Sequence, residues 1–321
     1  MKIVIIPGLT LPEVSDTNLT LIQQAAGEDA EVVICTPESA HNEISDTDVV
    51  LGFVSQRMFK MAANLRWVHA IASGVDAFLY PEFLNSDVVL TSEKGLVGEH
   101  LADHGFGLLL MLTRQLATAL KHGPDSWNHR PEMRRQEIEL TGLQMGLVGF
   151  GGTGRAMARR AAAFGMKCIA LDRDPVHTSP EVDIIMTPDQ LPELLGASDV
   201  VSICTPLTSE TRNMMNAAAF RAMKSSAFLV NVTRGEVMVE DALVSALKTG
   251  EIRGAALDVV PREPLPETSE LWSLPNVVMT PHTAGASPYR ADRNVERFVR
   301  NLSRLRNSQP LEGVIDKNLG Y

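Results

Sequence analysis

Short apolar runs at 3–6, 31–35, 49–52, 67–70 and 88–91 punctuate the first hundred residues, separated by polar, helix-like stretches. Runs of this length fit strands buried on both faces, and strands alternating with helices build a parallel sheet covered on both sides. Near residue 99 the pattern changes. From about Glu99 to Lys121, Leu, Ala and His recur at the helical period and predict one long helix, and the polar, Pro-bearing stretch 123–137 reads as a connection. A second alternating series follows, with runs at 143–149, 167–171, 182–186, 200–204, 227–232, 254–259 and 276–279, and predicts a larger doubly wound sheet of six or seven strands. The tail returns to helix. Ser287 is its expected N-cap, Pro288 its first helical residue, and Val295, Phe298, Val299, Leu302 and Leu305 form one buried stripe. Arg290, Arg293, Arg297, Arg300 and Arg304 fall mostly off that stripe and read as solvated or subunit-facing surface.

A chain of 321 residues is long enough for two domains, each with its own core. Its formal charge of −10 disfavours nucleic acid and anionic membranes as partners, so an anionic ligand must be met by local positive groups. Cys35, Cys168 and Cys204 show no paired framework and lie in apolar stretches, as buried thiols in a reducing compartment do. The opening MKIVIIPG is too short in apolar residues for a signal peptide, and no run approaches a membrane span. The expectation is a soluble, cytoplasmic protein.

The run 143–149 leads directly into Gly149-Phe150-Gly151-Gly152-Thr153-Gly154, then into a helical stretch, and the next run ends at Asp172. In that setting the glycines permit a tight turn, close approach of backbone to a pyrophosphate, and close helix–strand packing. Asp172 stands where a carboxylate accepts hydrogen bonds from ribose hydroxyls, and its charge favours NAD. Arg173, next in sequence, could stack on adenine or grip a 2′-phosphate, which leaves NADP open.

Three later pieces follow strand-like runs: Asn231-Val-Thr-Arg234-Gly235, Asp258-Val-Val-Pro-Arg-Glu263-Pro264-Leu265, and Pro281-His282-Thr-Ala-Gly285. Loops at the carboxyl ends of parallel strands gather at one crevice, which would bring an Arg, a carboxylate and a His beside the glycine loop. In this order GxGxxG…D, NxxRG, LDVxxxEPL and PHxAG resemble, essentially from end to end, the NAD-dependent D-2-hydroxyacid dehydrogenase family, which includes glyoxylate/hydroxypyruvate reductases and phosphoglycerate dehydrogenases. The resemblance implies two doubly wound domains with a cleft between them. A flavodoxin-like substrate domain would comprise 1–97 and 288–321, and a Rossmann cofactor domain 98–287, closing to exclude water before hydride transfer.

It also implies that Arg234, Glu263 and His282 are catalytic. Arg234 offers a fixed cationic fork for the substrate carboxylate and carbonyl. His282 would protonate the developing alkoxide, and Glu263, bonded to the other imidazole nitrogen, would fix the tautomer and favour the protonated ring. Asp258 would receive the nicotinamide carboxamide. Thr205 and Pro206 would lie under the adenine, and Thr233 and Gly285 beside the nicotinamide. The turn Ser73-Gly74-Val75 would present backbone N–H groups to the substrate carboxylate. Phe53 or Arg57 would approach the substrate tail.

His100 and His104 share a helix face, but no third ligand accompanies them, so no metal is expected. The resemblance points instead to packing or a homodimer contact for that helix. The expected activity is reduction of a small 2-keto acid. Phosphoglycerate dehydrogenase-like activity and a non-enzymatic NAD-sensing scaffold are the alternatives, the former disfavoured because the chain stops at Tyr321.

Overall fold

Twelve strands form in the computed structural model, which describes residues 1–321, and they sort into two sheets of five and seven. The chain divides into two units, Met1–Val97 with Ala286–Tyr321, and Gly98–Gly285.

In the first unit β1 (Lys2–Ile5), β2 (Glu31–Ile34), β3 (Val49–Leu51), β4 (Trp67–His69) and β5 (Val89–Thr91) lie in the order β2-β1-β3-β4-β5, every neighbouring pair parallel. This is the flavodoxin-like order. Register and the two-residue side-chain period divide the strands between two cores. Val4, Val50, Val68 and Leu90 face Ala40, Ile44, Met58 and Phe83. Ile3, Ile5, Val49, Leu51 and Trp67 face Ile22, Val295, Phe298 and Leu302. The tail helix therefore belongs to the first unit because its apolar stripe covers the second of these faces, and Trp67 stacks on Phe298 at 4.9 Å.

Two expectations for the tail are corrected. The helix runs from Arg290 to Arg306, two residues later than Pro288, because Ser287 Oγ accepts the Tyr289 N–H in a local turn and does not cap the helix. Arg290 and Arg297 are internal tethers, whereas Arg300 and Arg304 stay on the solvated surface as expected. Arg290 binds the buried Glu93 carboxylate at 2.5–3.2 Å. Arg297 donates to the carbonyls of Ser92 and Lys94, and Arg300 and Arg304 reach Glu312. A carboxylate as buried as Glu93 is tolerable only when paired in this way.

In the second unit β6 (Gln144–Val148), β7 (Lys167–Leu171), β8 (Val182–Met186), β9 (Val200–Ile203), β10 (Phe228–Asn231), β11 (Gly254–Leu257) and β12 (Val277–Met279) are parallel throughout, in the order β12-β11-β10-β9-β6-β7-β8. This is the dinucleotide-binding order with a seventh strand added, and it reverses direction between β6 and β9, where such sheets bind ligands.

The predicted single helix is broken. Gly98–Thr113 ends before Gln115, which turns left-handed at φ 53°, and a separate helix, Leu116–His122, follows. The expected connection at 123–137 is mostly a helix as well, Ser126–Gln136, none of whose residues is buried. A helix with no buried face leaves no hydrophobic period to read. Cys168 and Cys204 are buried as expected, whereas Cys35 is only partly so. No helix is long and apolar enough to cross a membrane.

Candidate active site

β6 delivers the chain into Gly149, whose φ of +101° is left-handed. A side chain there would meet the backbone of Cys204 and Thr205 at 2.8–2.9 Å, and one at Gly154 would lie 2.2 Å from the Gly149 carbonyl oxygen. These two glycines close the turn and seat it on the end of β9. Gly151 differs, because a Cβ there meets nothing within 4 Å and faces open space. Gly151 also caps the helix Gly152–Ala163 without a side chain, so the first-turn N–H groups, including those of Gly152, Thr153 and Gly154, remain for an anion. Gly98 lets the helix it begins lie against this loop, since a Cβ would stand 2.4 Å from the Gly152 carbonyl oxygen.

Asp172, just beyond β7, accepts the Phe150 N–H at 2.7 Å with Oδ2 and the Asp174 N–H at 3.0 Å with Oδ1. A carboxylate has about four lone-pair sites, so roughly two remain for ribose hydroxyls. Beyond β9, the Thr205 Oγ1 is buried with no hydrogen-bond partner, and Pro206 is exposed. Thr233 is turned inward, its hydroxyl and N–H both directed at Asn231 Oδ1. An uncapped helix start, an open Gly151, spare acceptors on Asp172 and the orphaned Thr205 hydroxyl together fit a dinucleotide.

The three remaining loops follow β10, β11 and β12. Asn231, fully buried at the end of β10, brackets the first by accepting from Thr233 and donating from Nδ2 to the Arg234 carbonyl at 2.9 Å. Arg234 is half-buried, with Nη1 donating to the Thr233 carbonyl. Gly235 explains the end of the NxxRG motif, because a Cβ there would lie 2.0 Å from the Val260 carbonyl carbon and oxygen. Only glycine lets the arginine loop press against the loop that carries Glu263.

Glu263 accepts the Val260 N–H with Oε1, and its Oε2 meets His282 Nδ1 at 2.7 Å. Both side chains are substantially exposed, at 36% and 46%, so the pair opens to solvent and to any ligand. His282 adopts a left-handed φ of 54°, uncommon for a residue other than glycine. Asp258 holds it there. The Asp258 carbonyl accepts the His282 N–H at 2.8 Å, and its buried carboxylate accepts the N–H groups of Thr283 and Ala284 and the Thr280 hydroxyl, at 2.7–2.8 Å. Most of the acceptor capacity expected for a nicotinamide carboxamide is thus committed to the histidine loop. Half-buried Gly285 ends that loop.

His104 extends this network through a 2.7 Å contact of Nε2 with Thr280 Oγ1, which makes it a polar support of the histidine loop. Asn231, Gly235, Thr280 and His104 were not among the expected site residues. The first two lie within the NxxRG motif and were legible there, whereas nothing local marks Thr280 or His104. His122, the last residue of the helix Leu116–His122, also converges with Asp125 and His129 beyond it, their ligand atoms within 4.8 Å of one another.

In the first unit, Ser73 and Gly74 are half-buried and Val75 is buried, in the bend after β4. Phe53 is exposed and packs edge-on against Phe78, three residues beyond the bend, and Arg57 is exposed on the helix Gln56–Met61.

A parallel sheet with an anion-ready glycine loop at its switch point, and an arginine and a glutamate–histidine pair on adjoining strand ends, defines a dinucleotide-dependent oxidoreductase. Residues 106–284 match the family described as D-isomer specific 2-hydroxyacid dehydrogenase, NAD binding domain. The glyoxylate reductase of Thermofilum pendens is 33% identical over 291 residues, 88% of this chain and 85% of that relative. The glyoxylate reductase of Pyrococcus furiosus is 33% identical over 88% of this chain and 86% of its own. The structure of an NADPH-dependent glyoxylate/hydroxypyruvate reductase from Sinorhizobium meliloti, in complex with NADP and sulfate, superposes with a TM-score of 0.82 at 27% identity over the whole of both chains. The chain belongs to the D-isomer specific 2-hydroxyacid dehydrogenase family and is an NAD(P)-dependent dehydrogenase of small 2-hydroxy and 2-keto acids.

Proposed function

We propose that this chain reduces a 2-keto acid of the glyoxylate or hydroxypyruvate kind to the D-2-hydroxy acid, with NADH preferred to NADPH. The 2.7 Å contact between His282 Nδ1 and Glu263 Oε2 carries the reading. With Nδ1–H held by the carboxylate, Nε2 is the nitrogen left to give its proton to a substrate oxygen. The Arg234 fork binds the carboxylate and polarises the carbonyl, holding C2 in place. The bound nicotinamide supplies the hydride. As C2 accepts that electron pair, the carbonyl oxygen takes the His282 proton and becomes the hydroxyl, and Glu263 stabilises the charge of the ring before transfer. In the reverse direction His282 removes the proton.

The glyoxylate reductase relatives support the substrate class, and Asp172 supports NADH. In the first unit, the N–H groups at Ser73, Gly74 and Val75 are proposed to receive a carboxylate. A second copy of the chain is the proposed partner, supported by strongly exposed Leu116, Leu120 and Trp127 on the helices after Gln115. Three unpaired cysteines favour a reducing compartment such as the cytoplasm. Cofactor oxidation followed with glyoxylate, hydroxypyruvate, pyruvate and 3-phosphohydroxypyruvate, each with NADH and NADPH, tests the assignment. The first two substrates with NADH should give the highest kcat/KM. No turnover with glyoxylate or hydroxypyruvate, or a preference for the phosphorylated acid, would refute the substrate class.

A further inference from the structure

Beside Asp172, the charges around the dinucleotide loop are unevenly committed. Arg173 directs Nη1 to Glu210 at 3.2 Å and Nε towards Asp174 at 3.5 Å. Arg155, the other cation on this side, donates to the His177 carbonyl and lies over the Phe150 ring at 4.4 Å. Glu210 is presented by a locked turn. Thr208 and Thr211 exchange hydrogen bonds between hydroxyl and N–H, and the Thr211 hydroxyl donates to the Pro206 carbonyl at 2.7 Å. The turn fixes the Glu210 backbone in the segment after β9, and the carboxylate, on a largely exposed side chain, reaches the guanidinium of the residue that follows Asp172.

We infer that Glu210 is a cofactor-specificity residue, which holds the Arg173 guanidinium and denies it to an adenosine 2′-phosphate. The inference rests on the reading of Asp172 as the ribose acceptor. A 2′-phosphate is a dianion or close to one, and it gains affinity from an arginine that can turn both N–H groups towards it. Here it would meet the carboxylates of Asp172, Asp174 and Glu210 around Arg173, already engaged by two of them. The free 2′-hydroxyl of NADH carries no charge to repel and needs no arginine. Discrimination thus has two parts, repulsion at Asp172 and sequestration of Arg173 by Glu210, and only the second depends on Arg173.

The test is equilibrium binding of NADH and NADPH by isothermal titration calorimetry, without turnover, to the wild type, Glu210→Gln, Arg173→Ala and the double variant. Glu210→Gln keeps the shape of an exposed side chain and removes its charge. It should lower the ratio Kd(NADPH)/Kd(NADH) by about tenfold, the size of one charge-assisted hydrogen bond at a partly exposed site. In the Arg173→Ala background the same substitution should leave the ratio where it was. An unchanged ratio in Glu210→Gln overturns the inference. So does an equal fall with Arg173 absent, which would mean that Glu210 acts by direct repulsion. Failure of the wild type to bind NADH would instead overturn the reading of Asp172, and the inference with it.

Discussion

Gly235→Ala is the smallest change that separates the arginine from the glutamate–histidine pair. The Gly235 Cβ position is 2.0 Å from the carbonyl carbon and oxygen of Val260 and 2.6 Å from the Pro261 nitrogen, all backbone atoms. Ordinary carbon contacts lie near 3.5 Å, so the loops after β10 and β11 must part by roughly 1 Å or more. Neither side has a flexible side-chain end to yield. Overpacking of this kind costs about 1–3 kcal/mol, which for a domain of this size lowers Tm by roughly 2–10 °C. The functional cost is larger than the stability cost. Arg234 precedes the clash by one residue and Glu263 follows it by three, and a displacement of about 1 Å between reacting groups costs on the order of 100-fold. Steady-state kinetics with the best 2-keto acid, together with calorimetric Tm and NADH binding, should show kcat/KM reduced about 100-fold in a folded protein that still binds NADH. Kinetics within threefold of the wild type would refute the claim that this contact sets the geometry.

Asp258→Asn replaces one acceptor oxygen with a donor facing backbone N–H groups, breaking at least one of the bonds that hold the His282 loop. A lost buried bond costs about 1–3 kcal/mol, and kcat should fall at least roughly tenfold as His282 leaves its left-handed backbone. An unchanged kcat would show that the loop holds itself. His69 gives a pH prediction. Burial, with the Arg297 charge nearby, pushes its ring down to about 3, so the folded protein keeps it neutral while the unfolded chain protonates it near 6.5. Its contribution is whole above pH 6.5 and is lost as pH falls towards 3, at up to about 1.4 kcal/mol per unit. Thermal unfolding of the wild type and His69→Leu between pH 7 and 4.5 should show the wild type losing Tm faster. Parallel curves would contradict this.

The two sheets and most of the site were legible for a physical reason. Strands of parallel sheets are apolar on both faces, and loops that must bring backbone within contact distance require glycine, so Gly149 and Gly154 stand out directly, while Gly235 shows only as the last residue of NxxRG. The catalytic candidates were equally visible because each follows a strand run at its carboxyl end. What was not legible depends on partners distant in sequence. Arg290 and Arg297 look like surface charge until Glu93 and the carbonyls of 92–94 are found opposite them. Thr280 and His104 support Asp258 from elements more than 150 residues apart. The break at Gln115 has no glycine or proline to announce it, and the helix Ser126–Gln136 has no buried stripe.

The central claim is that His282, oriented by Glu263, protonates the oxygen as C2 is reduced. Single-turnover oxidation of enzyme-bound NADH by glyoxylate, in the wild type and His282→Ala, measures that step directly, and calorimetry on the same preparations gives the NADH dissociation constant. The account predicts a rate reduced by about 100-fold or more, the usual contribution of a positioned acid, with the dissociation constant within about threefold of the wild type. A near wild-type rate in a variant that binds NADH normally would contradict it.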